Sequence, residues 1–256
     1  MRIIDTHCHL NDEALYKDLD NVISRAQQAG VEKMIVIGWD KASSELAIKL
    51  AEQYDFIYAV IGFHPENIFD VSDKELYELL NLSKHPKVVG IGEIGLDYHW
   101  TKDPNKREIQ KEFFIKQIEY ANKAKLPISI HSREAFNDTL QILKEHKPLY
   151  GGVMHCYSGS VENIIDIINL NLYIGLDGPV TFTNAKTPKE VAAEVPLDRL
   201  VVETDCPYLS PHPLRGTVNE PANITLIVDA IAEARDMSKK HLLDVLYQNS
   251  CKLFNL

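Results

Sequence analysis

The chain alternates between short, densely apolar runs and longer stretches in which apolar residues recur every three or four positions. Lys33-Met34-Ile35-Val36-Ile37-Gly38 is typical of the short runs: it is rich in Val and Ile with little polar alternation, as a strand reads when both its faces are covered. Comparable runs at Met1–Leu10, 56–61, 87–91, 127–130, 152–154, 172–174 and 200–202 bring the predicted strands to eight. The stretches between them carry a helical period at about 18–29 (closed by Gly30), 43–53, 73–83, 105–125, 135–146, 161–168 and 187–195, and a final helical pair spans 222–235 and 238–249. In the longest of these, Phe114, Ile118 and Ala121 share one stripe, with Glu112/Lys116 and Glu119/Lys123 paired at i, i+4 outside it.

A strand–helix unit returning about every 30 residues, with no Pro/Gly/Ser-rich linker, predicts an α/β fold in one domain over residues 1–256. The expected architecture is a TIM (β/α)8 barrel of the metal-dependent hydrolase type, with a doubly wound open sheet as the alternative. In a barrel the chemistry belongs to the carboxyl ends of the strands. The predicted ends read His7-Cys8-His9, Gly62-Phe63-His64-Pro65, Gly92-Glu93-Ile94-Gly95-Leu96-Asp97, His131-Ser132-Arg133, His155-Cys156 and Glu203-Thr204-Asp205, so five of the ten histidines fall on one rim. Any one of these residues alone reads as a capped or core-satisfied side chain, whereas their gathering at one rim is what a metal site requires.

Six candidate donors, His7, His9, Glu93, His131, His155 and Asp205, exceed the three that a single catalytic zinc takes, which implies two cations. Glu93 is the expected bridge between ions ~3.5–4 Å apart. His7, His9, Glu93 and Asp205 would hold one ion, and Glu93, His131 and His155 the other. Glu203 reads as a further ligand or as an acceptor that orients a histidine. His64 and Arg133 would face substrate, the guanidinium suited to a phosphate. The proline-stiffened stretch 207–221, which contains Arg215, follows the last strand and should border the site. His99 and Trp100, after Asp97-Tyr98, offer an aromatic surface on which a base could stack. Cys8, Cys156 and Cys206 each adjoin a proposed donor, and strand alternation would turn them away as packing residues.

Charge and cysteine content narrow the setting. A formal net charge of −10 excludes a broad basic face for duplex DNA and attraction to an anionic membrane, so a polyanion would have to be held locally. Four dispersed cysteines with no CxxC pair suggest neither a disulfide framework nor a zinc knuckle. With no leader-like or membrane-spanning run, the chain reads as a soluble cytoplasmic protein with no evident obligate protein partner.

The blocks Asp5-Thr6-His7-Cys8-His9-Leu10, Gly62-Phe63-His64-Pro65, Gly92 to Tyr98, Ile130-His131-Ser132-Arg133, His155-Cys156-Tyr157-Ser158-Gly159, Glu203 to Tyr208, and Arg215-Gly216 through Asn219-Glu220-Pro221 are spread along nearly the whole chain. Taken together they resemble the TatD family of metal-dependent deoxyribonucleases, a branch of the hydrolases with amidohydrolase-like barrels. The resemblance implies a divalent-metal-dependent nuclease that degrades DNA from an end, taking single-stranded ends in the 3′→5′ direction, with the same six residues as ligands. Thr217 and Val218 depart from the pattern by interrupting a loop that is often more basic.

The donor set accepts Zn²⁺, Mn²⁺, Co²⁺ or Ni²⁺, and Mg²⁺ enters mainly through the resemblance. The expected reaction is phosphodiester hydrolysis by a metal-bound hydroxide, with Asp205 as general base and Glu93 and Arg133 assisting. Two rival readings use the same barrel: hydrolysis of amide or ester bonds, as in an amidohydrolase or an aminoacyl-tRNA deacylase, and a non-catalytic scaffold. Glu93 stands where those amidohydrolases often carry a carboxylated lysine, which favours the nuclease.

Overall fold

The eight apolar runs form one parallel sheet in chain order in the computed structural model, which describes residues 2–256. Its strands are β1 (Ile3–Cys8), β2 (Val31–Ile37), β3 (Ile57–Ile61), β4 (Val88–Asp97), β5 (Ile128–Arg133), β6 (Gly152–Met154), β7 (Leu172–Leu176) and β8 (Leu200–Val202). The Met1 end of the first predicted run lies outside the described residues. Past the end of β8 the chain meets β1 again: Asp205 N donates to His7 O at 2.9 Å and His9 N donates to Cys206 O at 2.8 Å. These bonds nearly close the barrel, and the seam sets two predicted histidines beside a predicted carboxylate.

Ten helices among the described residues cover the sheet: α1 (Glu13–Tyr16), α2 (Leu19–Gln28), α3 (Lys41–Gln53), α4 (Asp73–Leu80), α5 (Pro104–Ala124), α6 (Phe136–Glu145), α7 (Ile164–Asn169), α8 (Thr187–Glu194), α9 (Ile224–Ala234) and α10 (Lys239–Phe254). Local chemistry sets their ends. Asp40 and Ser72 close capping boxes at the starts of α3 and α4, and Pro104 opens α5 behind its Asp103 cap. Gly30 turns the chain after α2 at φ 93°, where a side chain would be strained.

The departures from expectation lie mostly at boundaries. The predicted helices at 73–83 and 161–168 are part 3₁₀, and the short α1 was not expected. β4 and β5 run on through Asp97 and Arg133, so Asp97 and His131 sit on paired backbone rather than on loops, and Glu93 lies within β4 at the register shift between Ile91 and Ile94.

Two apolar layers result. Alternate strand residues, including Ile3, Cys8, Met34 and Val36, pack outward against the helices. Ile4, Ile35, Ile37, Val60, Val89, Val153, Tyr173 and Val201 fill the barrel, where Leu253 and Phe254 from the end of α10 join them. Ile4 faces inward and Cys8 outward although strict alternation would put residues four apart on one face. The pairing of β1 with β2 slips between Asp5 and Cys8, and this irregularity turns the odd-numbered His7 and His9 inward. No helix among the described residues is long and apolar enough to cross a membrane.

Candidate metal centre

His7 and His9 leave β1 with their Nε2 atoms 3.2 Å apart. Asp205 Oδ1 lies 3.6 Å from His7 Nε2, 3.4 Å from His9 Nε2 and 3.5 Å from His155 Nε2. Glu93 divides its oxygens between two groups. Oε2 is 3.5 Å from His7 Nε2, while Oε1 is 2.6 Å from His131 Nδ1 and 3.9 Å from His64 Nε2 and from His155 Nε2. Three overlapping donor sets follow, namely His7/Glu93/His155, His7/His9/Asp205 and His64/Glu93/His131. All six predicted donors come together on the rim, and Glu93 reaches both halves.

The surroundings of the rings fix which nitrogen faces the centre. His9 Nδ1 lies 3.1 Å from Ile37 O, which can only accept, so Nδ1 carries a proton and Nε2 is the nitrogen that faces the centre. His155 Nδ1 lies 2.9 Å from Glu203 Oε1, with the same consequence. Glu203 therefore takes the orienting role, and it also accepts from Cys156 N. Ring nitrogens and carboxylates, buried and facing one another, form a mixed imidazole and carboxylate set that could hold a divalent metal.

The electrostatics reflect the same burial. Burial works to raise Glu93, yet hydrogen bonds from His131 and His7 hold it well below the usual carboxylate range. Burial also opposes the ionised form of Asp205, and the charge on His155 with the His9 hydrogen bond keeps it low. Burial would depress His155, but Glu203 and Asp205 lift it well above an ordinary imidazole. His131 is likewise lifted to about 9 against its burial, by Asp97 and Glu93. His7 goes the other way, lowered by burial and by His155, whose ring stacks on it at 3.5 Å.

The remaining predicted residues divide by position. The Nδ1 of His64 accepts from Glu66 N at 3.2 Å, so its Nε2 presents a proton rather than a lone pair; burial and His131 lower it to about 3. The Arg133 guanidinium stands 5.7 Å from the Trp100 ring centroid, and that of Arg215 stands 4.1 Å from the Phe182 ring centroid. Arg2, Arg25, Arg107, Arg199 and Arg235 all donate to protein acceptors, whereas Arg133 and Arg215 have neither a side-chain hydrogen bond nor an ion pair among the described residues. A cavity of about 560 Å³ opens beside His155 between Ser132, Phe136, Tyr157 and Gly159.

One expectation about the cysteines is corrected. Cys8 and Cys206 are buried against each other behind the rim. Cys156 is not turned away by alternation, because β6 has already ended and the residue takes a left-handed φ of 43°. Its thiol lies against the Asp177 carboxylate.

Several supports were missed. Asp97 accepts from His131 Nε2 at 3.0 Å, and Ser129 Oγ stands 3.4 Å from His7 Nδ1. Asp5 accepts from Thr204 N, Thr204 Oγ1 and His7 N, pinning the seam from beneath. Asp97 had a signal, lying four residues past Glu93 on one strand, while Ser129 and Asp5 had none beyond proximity to a donor. Asp177 is 4% exposed with Oδ2 unpartnered, and burial together with Glu203 and Asp205 pushes its carboxyl well up.

Known proteins are similar to this chain over nearly its whole length. The family model described as TatD related DNase matches residues 4–255. YabD of Bacillus subtilis (strain 168), an uncharacterized metal-dependent hydrolase, is 46% identical over 255 residues, spanning 99% of each chain. YcfH of Escherichia coli (strain K12), described in the same words, is 36% identical over 260 residues, covering 100% of this chain and 97% of its own. The crystal structure of YJJV, a TatD homologue from Escherichia coli K12, matches with a TM-score of 0.93 at 33% identity, over 99% of this chain and 98% of that one.

Proposed function

The chain belongs to the TatD-related DNase family of metal-dependent hydrolases, and from that membership and the geometry of the rim we propose that it is a divalent-metal-dependent nuclease. In this reading it hydrolyses phosphodiester bonds of DNA from an end, preferring single strands and working 3′→5′. The observation that carries the proposal is the divided Glu93 carboxylate, each oxygen facing a different histidine group, which suits two cations. His7, His9, Glu93 and Asp205 would hold one and Glu93, His131 and His155 the other. Bound there, Mg²⁺, Mn²⁺, Zn²⁺, Co²⁺ or Ni²⁺ supplies Lewis acidity toward water and phosphate oxygen.

The protein's own groups do the rest. Asp205, held ionised by its neighbours, accepts a proton from the attacking water. Glu203 and the Ile37 carbonyl keep the His155 and His9 rings oriented through that transfer. Arg133 and Arg215, free of protein carboxylates, grip the phosphate and localise positive charge in an acidic protein. His64 presents an N–H toward the same pit, placed to donate to a phosphate oxygen.

The test uses metal-stripped protein reloaded across a metal series and incubated with 3′- and 5′-labelled single-stranded DNA. Activity restored by metal, abolished by EDTA and absent in Asp205→Asn supports the assignment, and shortening from the 3′ label supports the polarity. Full cleavage by the chelated protein or by Asp205→Asn overturns it.

A further inference from the structure

The segment after β4 presents one large side chain to solvent and ties down all its neighbours. Asp97 N donates to Gln110 Oε1, and Gln110 Nε2 donates to Thr101 Oγ1. Tyr98 donates to Asp138, His99 meets Glu134 at 2.6 Å, and Lys102 bridges Tyr98 O and Glu134. Arg107 donates to the Thr101 and Tyr98 carbonyls. Within this frame Trp100 is 62% exposed and its indole makes no hydrogen bond among the described residues; it meets the His99 ring edge-on, at 4.7 Å between ring centroids, with the Arg133 guanidinium 5.7 Å from its own centroid.

The frame is coupled to the donor cluster. Trp100 N donates to Asp97 Oδ1 at 2.9 Å, while the other oxygen of Asp97 accepts from His131 Nε2. The indole is thus held one residue from the carboxylate that positions a proposed ligand. Beside it stands Arg133, one of the two arginines without a protein acceptor. A flat aromatic ring on a loop tied down by hydrogen bonds, next to an uncommitted cation, is the pairing that binds one unit of a single strand: the base stacks on the ring and the adjoining phosphate meets the guanidinium. A base inside a duplex is already covered on both faces and would have to be unstacked first.

We propose that Trp100 is a base-stacking shelf that, with Arg133, selects an unpaired nucleotide next to the bond being cut. The proposal rests on the nuclease reading above. It makes Trp100 a specificity residue that acts on the base and leaves the chemistry of the phosphate to the rim.

A base-by-residue cycle tests it. Single-stranded oligonucleotides carry a normal nucleotide or a tetrahydrofuran abasic unit at each of the first three positions from the attacked end. They are cleaved by the metal-loaded wild type, Trp100→Ala and Trp100→Phe. At one position the wild type should favour the base by roughly 5- to 150-fold in kcat/KM, the worth of one base on an aromatic ring. That preference should collapse to about onefold in Trp100→Ala and survive largely in Trp100→Phe. A purely structural role would lower base-bearing and abasic substrates together and leave the ratio intact, which overturns the shelf, as does an unchanged ratio at every position with undiminished rates. If the wild type cleaves none of these oligonucleotides, the nuclease reading falls and takes the shelf with it.

Discussion

At the floor of the barrel Ile4, Ile35, Val60, Val153 and Val201 meet Phe254 from α10, whereas at its mouth His7, His9, Glu93, His155 and Asp205 meet one another. Both groups are buried and both hang from the same strands. The floor needs nothing from outside, because apolar side chains brought together lose only their contact with water. The mouth gathers imidazoles and carboxylates that are costly to bury, and it is held in place by the seam, the Glu203 acceptor and the Asp97 acceptor around it. Stability is concentrated at one end of the barrel and the capacity for chemistry at the other.

This contrast is open to attack from both ends. The largest expected effect is at the mouth: Glu93→Gln should lower DNA hydrolysis by more than about 10³-fold, over 4 kcal/mol of barrier, while the protein keeps its helical circular dichroism. Substantial retained turnover would sink the bridging role. At the floor, Phe254→Ala should cost stability near the lower end of roughly 3–5 kcal/mol in urea unfolding, because Leu256 packs against the same cluster and can refill part of the space. The folded fraction should keep its kcat, and lost activity without lost stability would show that the two ends are not separable.

A smaller shift joins the two ends. A metal present at 100 times its dissociation constant should stabilise the wild type by about 2.7 kcal/mol and Glu93→Gln by much less, as read from melting temperature. Equal stabilisation of both would place the binding elsewhere.

The smallest effect is on the outer face beneath the floor. Hydrogen bonds from Arg2 and Tyr247 hold the Glu32 carboxyl down at about 2, below its ordinary 4.5. Since its folded value is depressed, the stabilising contribution is fully present above pH 4.5 and disappears as pH falls toward 2. Glu32→Gln should remove that part of the acid sensitivity, and the change should be slight because the pair is largely solvated. An unchanged acid-unfolding profile in the variant would mean that the pair contributes nothing.

Much of the mouth could be read before the fold was known. Strand ends are local features, where an apolar run stops at a polar residue, and each of the six donors sits at such a stop. The boundaries of β4 and β5 were less legible, since Gly92 and Gly95 interrupt the apolar pattern that marks a strand and only pairing with a neighbour shows that it continues to Asp97. The inward turn of His7 and His9 was expected from alternation. In the fold it depends on the slip between β1 and β2, without which Ile4 and the two histidines could not share the barrel interior.

The sequence by itself determined the inventory: eight strands, the helices between them, and a rim supplied with imidazoles and carboxylates, because periodicity and the end of an apolar run are properties of neighbouring residues. Only the tertiary structure decided which of those groups meet. Asp5 reaches Thr204 across 199 positions, and Glu203 turns His155 across 48, contacts that exist because the barrel closes on itself. Closure likewise set Phe254 beneath the floor and left Trp100 and Arg133 uncommitted at the lip. The physical reason is that local pattern fixes the direction of a side chain relative to its own strand, while its partner, tautomer and charge depend on groups that folding brings from far along the chain.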